Sequence, residues 1–99
     1  MIKVIEGYKL KVNADIQPVL MKLRSHAITY PGFISAENLV RTQDRSIIFV
    51  IYTWNRIEDW NLWDNTSVRK KILKEAEALL SEKPRVRIYG VMSTTTWSS

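Results

Sequence analysis

Ile47-Ile48-Phe49-Val50-Ile51-Tyr52 is apolar on both of the faces a β-strand presents. An antiparallel strand in a chain of 99 residues ordinarily turns one face to the core and the other to water. Two dry faces need two covers. Helices can supply one, and the simplest source of the other is a second copy of the chain. Immediately upstream, residues 33–42 read as a strand that pairs with residues 46–54 in a β-hairpin, with Gln43-Asp44-Arg45 as the turn. Downstream, Asn55 followed by Glu58 has the spacing of a capping box and opens a short helix carrying Trp60 and Trp63. Asp64-Asn65-Thr66 restarts it, and Val68, Ile72, Ala76, Leu79 and Leu80 define an amphipathic helix to about Ser81. Pro84 separates that helix from a last strand, Arg85 to about Met92.

The N-terminal part adds one strand and one helix. Ile2, Val4, Glu6, Tyr8, Leu10 and Val12 alternate with Lys3, Lys9 and Lys11, which predicts a strand over 2–12 with one wet face. Glu6 interrupts the apolar side. Asp15 is placed to cap a helix over 16–29, whose stripe is Ile16, Leu20, Leu23 and Ala27. Pro18 falls in the first turn, where it is tolerated, and Tyr30-Pro31-Gly32 ends the helix. The order is β-α-β-β-α-β: a ferredoxin-like α+β domain with a four-stranded antiparallel sheet and helices on one face. Residues 1–93 read as that domain and 94–99 as a C-terminal tail, polar apart from Trp97.

Composition excludes whole classes of function. Hydrophobic residues at 45% and charged residues at 25% are those of a folded soluble domain, not a disordered chain. Without cysteine there are no disulfides, thiolate nucleophiles or Cys-ligated zinc sites. His26 stands alone, so a multi-His metal site within one chain is excluded, and a Ser-His-Asp triad would have to run through it. Charge at Lys3 and Glu6 comes too early for a signal peptide, and no apolar run is long enough to span a membrane. A soluble, cytoplasmic protein is expected.

The net charge of +5 raises the question of nucleic acid. Arg69 to Arg87 holds Arg69, Lys70, Lys71, Lys74, Lys83, Arg85 and Arg87 against Glu75, Glu77 and Glu82, which reads as a solvated helix face. RNA-recognition motifs share the β-α-β-β-α-β order, and Arg45, Phe49, Val50 and Tyr52 match their third-strand signature. Ser46, Ile47 and Ile48 do not, and the first strand offers no paired aromatic, so nucleic acid is not the expected partner.

Several residues could line a ligand pocket. Helical spacing groups Ile57, Trp60 and Asp64 and leaves Trp63 about 60° off their face, at the rim of a core where an indole can stack on a planar ligand. The alternative is that both tryptophans simply pack. Asn61 and Asn65 could hydrogen-bond a bound carbonyl or phenolate, or serve as surface and cap residues. His26 could act as a base, or lie exposed on its helix. Glu6, Tyr8 and Tyr52 could add polar groups to a cavity between sheet and helices.

Pro31-Gly32-Phe33 opening the second strand, Tyr52-Thr53-Trp54-Asn55-Arg56 ending the third, and Ile57-Glu58-Asp59-Trp60-Asn61-Leu62-Trp63 after it resemble the antibiotic biosynthesis monooxygenase (ABM) domain. The resemblance covers roughly residues 2–92. It implies a homodimer in which two sheets pair face to face, the dimeric α+β barrel, with a pocket between sheet and helices in each subunit. Some relatives oxygenate anthrones or quinols without metal or flavin, others degrade haem, and others isomerise small phosphorylated metabolites. The haem-degrading relatives pair a first-strand Asn with a helix Trp and a later His. Here Trp63 matches, but Glu6-Gly7-Tyr8 and Leu73 stand where the Asn and His would be, so the iron would lack its protein ligand. What the resemblance leaves is a cofactor-independent monooxygenase of a small aromatic or quinol-like metabolite, Trp63 stacking the substrate and Asn61 polarising its oxygen. The other reading is a non-catalytic dimeric small-molecule binding or interaction module on the same fold.

Overall fold

The computed structural model describes residues 1–92; the expected tail and Trp97 lie outside the described residues. The elements are β1 (Ile2–Lys9), α1 (Gln17–Ala27), β2 (Phe33–Val40), β3 (Ile47–Trp54), α2 (Ile57–Asp64), α3 (Ser67–Ala76) with a short 3-10 turn at Glu77–Leu79, and β4 (Arg85–Gly90). The strands form one four-stranded sheet in the order β2-β3-β1-β4, with every pairing antiparallel. This is the ferredoxin-like arrangement expected from the pattern, with the third helical segment arising where Asp64-Asn65-Thr66 breaks the chain.

Alternation decides what each sheet face carries. Val4, Glu6 and Tyr8 of β1 and Val50, Tyr52 and Trp54 of β3 point to the helices and are buried. They pack with Val19, Leu20, Leu23 and Ala27 of α1, Trp60 and Trp63 of α2, and Ile72 and Ala76 of α3. Among the described residues, nothing covers the other face of the same strands. There Phe49, 41% exposed, and half-buried Ile47 and Ile51 lie beside Ile5 and Leu39. The second dry face read from Ile47–Tyr52 is therefore present, and it is open among the described residues of the single chain.

Element ends differ from the sequence reading for local reasons. β1 stops at Lys9: Leu10 makes an isolated bridge to Leu80, Asn13 turns the chain with φ 62°, and Val12 lies exposed. Asp15 accepts the Gln17 N–H at 3.0 Å, but the residue flanking α1 is Ile16, which makes no side-chain cap. The Asn55/Glu58 capping box does not form. Arg56 flanks α2 in extended geometry, one position too late for Asn55, whose own N–H donates to the Gly32 carbonyl at 2.7 Å. Thr66 does cap α3, accepting the Arg69 N–H at 3.3 Å. Gly32 sits at φ 85°, and a side chain there would also collide with the Asp59 carboxylate, so this turn requires glycine twice over.

Candidate functional site

Glu6 occupies a core position of β1, with Val50 of β3 and Val86 of β4 as its cross-strand neighbours. Its side chain is fully buried, and a buried carboxylate without a counter-charge is expensive. The counter-charge comes from Arg69, 1% exposed, in the first turn of α3. Arg69 Nη2 donates to Glu6 Oε2 at 2.9 Å and Nη1 to Oε1 at 3.3 Å, a two-point clamp. Its Nε donates to Asp64 Oδ1 at 2.9 Å, and the guanidinium carbon lies 4.7 Å from the centre of the Trp60 ring. Tyr8 Oη donates to Glu6 Oε2 at 3.2 Å. One network thus ties β1 to the end of α2 and the start of α3.

Electrostatics keep Arg69, Tyr8 and Tyr52 in fixed protonation states. Burial alone would lower the Arg69 pKa, but the charge and hydrogen bonds of Glu6, with the bond to Asp64, outweigh it and hold Arg69 above its ordinary value. Burial first, and the Glu6 charge second, push Tyr8 well above the usual phenol value and raise Tyr52 in the same way. Neither tyrosine is a base near neutrality; Tyr8 serves as a donor. In the unfolded chain both ionise near pH 10, while in the fold they stay neutral, so the unfolded state binds fewer protons above that pH. Stability is therefore expected to hold below about pH 10 and then to fall by about 1.4 kcal/mol per pH unit for each tyrosine. Urea titrations from about pH 8 to 11 check this, and Tyr52→Phe should halve the slope.

The network closes the inner end of a cleft of about 760 Å³ between α3 and β4. Leu73 and Leu80 form one apolar wall, Pro84 and Val86 the other, and Lys70, Lys74 and Lys83 stand around the mouth with Glu77 and Glu82. A cleft that offers apolar side chains beside a fixed polar cluster is a form small-molecule sites take.

The fold brings together only some of the residues named from sequence. Glu6 and Tyr8 meet directly, and the Tyr52 ring lies 6.2 Å from the Trp60 ring that supports Arg69. Trp63 is fully buried and packs on Tyr30 with ring centres 5.1 Å apart; it does not line the cleft. Among the described residues, its Nε1 and that of Trp54 are buried donors without an acceptor. Asn61 is exposed, two positions and thus more than half a turn away from Trp63. Asn65 donates its Nδ2 to the Asn61 carbonyl at 2.7 Å and closes α2. His26 is exposed in the last turn of α1. Arg69 and Asp64 belong to this cluster, and the sequence reading did not name them as site residues. Arg69 belongs to a stretch that reads as solvated, yet it lies three and seven residues before Ile72 and Ala76, on the buried stripe.

On the open sheet face, Phe49 lies beside Gly7 and Ile5, while Tyr8 points to the helices.

No family model matches the sequence, and no curated protein does. Solved structures do. A crystal structure of an antibiotic biosynthesis monooxygenase superposes with a TM-score of 0.82 at 17% identity, covering 94% of this chain and all of that one. SnoaB, a cofactor-independent oxygenase from Streptomyces nogalater, superposes with a TM-score of 0.82 at 10% identity, covering 96% of each chain. A conserved protein from Methanosarcina mazei gives 0.80 at 15% identity over 89% of each chain. The fold is that of the ABM domains. This agrees with the resemblance read from residues 31–33 and 52–63. At these identities the likeness is one of fold, so the roles of ABM residues are not carried across by it.

Proposed function

We propose that the protein is a homodimeric, cofactor-independent monooxygenase acting on a small aromatic or quinol-like molecule held in the cleft between α3 and β4. The observation that carries this is the cleft itself, apolar on both walls and ended by the Glu6–Arg69–Asp64 cluster. Leu73 and Val86 suit the two faces of a flat ring. The lysines at the mouth favour the ionised form of a phenol or enol. That anion gives one electron to dioxygen, and the radical pair combines into a peroxide. Loss of water from it turns a ring CH2 into C=O, so one oxygen atom enters the product and the other leaves as water. The protein's tasks are to bind, to favour the anion and to exclude solvent.

One feature of the cluster favours the second reading, a binding module without turnover. Three of the five Arg69 N–H groups are already held by Glu6 and Asp64, so both carboxylates beside it are paired. The sequence-derived pair, Trp63 and Asn61, remains the competing site, supported by the unpaired Trp63 donor. Two substitutions separate the sites. Leu73→Trp fills the cleft and is expected to lower oxygen uptake at least tenfold, whereas Trp63→Phe should leave it within about twofold. The reverse pattern would assign the chemistry to Trp63.

A further inference from the structure

Cross-strand pairing aligns four side chains in one row across the open sheet face. Glu37 of β2 stands opposite Ile51 of β3, Ile51 opposite Ile5 of β1, and Ile5 opposite Arg87 of β4. The row thus ends in an acid at one edge of the sheet and a base at the other, with two half-buried isoleucines between them. Glu37 and Arg87 are both exposed, and neither makes an ion pair among the described residues. The other acid of the four strands, Glu6, faces the helices. Glu37 is therefore the single strand carboxylate on the open face, set against Lys3, Lys9, Arg85 and Arg87. Beside it lies a hollow of about 340 Å³ bordered by Ile5, Ser35, Ile51 and Thr53.

We infer that the homodimer proposed above, on which this rests, pairs its faces in the one orientation that sets Glu37 of each copy on Arg87 of the partner subunit. A two-fold axis running along the strands, midway between β1 and β3, turns each row end for end over its copy. Acid then meets base at both edges, and the isoleucines meet in the middle. Facing sheets stand about 10 Å apart, a gap that a glutamate and an arginine side chain bridge from opposite sides. The same turn carries Tyr89, one row further along, over the small Ser35 that borders the hollow. An axis running across the strands would instead bring Glu37 onto its own copy and Arg87 onto its own. Like charges taken out of water in that way repel.

The chain has no cysteine, so single thiols can report which positions meet. Glu37→Cys and Arg87→Cys proteins are treated with a short bismaleimide, each alone and as an equal mixture. Covalent dimers are expected in the mixture, in roughly tenfold higher yield than from either variant alone. Charge reversal gives a second readout by light scattering across a dilution series. Glu37→Lys and Arg87→Glu should each weaken the dimer by roughly tenfold or more, and the two in one chain should restore it to within about threefold of wild type. Cross-linking of each variant with itself as readily as in the mixture, or a dimer that the single reversals leave unchanged, overturns this orientation while the dimer itself stands. A wild-type protein that is monomeric removes the dimer and the orientation together. Both positions are exposed in the single chain, and circular dichroism confirms that each variant keeps the fold.

Discussion

Arg69→Met is expected to destabilise the domain by about 3–5 kcal/mol, because it leaves Glu6 buried with its charge uncompensated. For a domain whose total stability is on the order of 5–15 kcal/mol, that is enough to populate the unfolded chain near physiological temperature. The loss belongs to the broken pair and is not the pair's net worth. Replacing the partners together, as Glu6→Leu, Tyr8→Phe and Arg69→Met, should recover most of it, since a packed apolar core does as well as a buried ion pair. Asp64 is half exposed and can exchange its bond to Arg69 for water. Urea unfolding of wild type, single and triple variants reads the sequence of effects. A single variant as stable as wild type would mean that Glu6 finds another partner or water.

The second large effect concerns assembly. Pairing of the open sheet faces predicts a molar mass near twice 11.6 kDa by light scattering. Ile51 lies near the middle of that face, half-buried beside Ile5 and Glu37. Ile51→Lys sets two ammonium groups into the middle of that pairing and is expected to give a monomer with an unchanged circular-dichroism spectrum. A wild-type protein that runs as a monomer at micromolar concentration would remove the face-to-face dimer.

How these features were visible in the sequence differs from element to element. Val4, Val50, Leu23 and Ile72 announce their burial by period alone, and the sheet order follows from the sequence of elements. Ile47–Tyr52 points to a second face in need of cover because a strand dry on both sides is unusual within one small antiparallel domain. Strand ends were less visible: β1 ends where Leu10 meets Leu80, a contact between residues far apart in sequence. The α2 capping box failed because register, one position out, matters more than residue type.

The site was half legible. Glu6 stood out as a charge in an apolar register, and such a charge demands a partner. The partner lies 63 positions away in a stretch where six neighbouring cations look alike. Only the alignment of Arg69 with Ile72 and Ala76 distinguishes it. Trp63 misled in the opposite direction: an offset of about 60° on a helical wheel reads as a rim position, but Tyr30, brought in by the Pro31-Gly32 turn, closes over it.

The most direct test of the proposed chemistry is oxygen uptake by chelator-treated protein on a panel of anthrones, with the anthraquinone product followed by absorbance. The expected result is one dioxygen consumed per quinone formed with no hydrogen peroxide released, undiminished by the chelator and lost in Leu73→Trp. Saturable binding of the same compounds without any oxygen uptake would contradict it and leave a binding module.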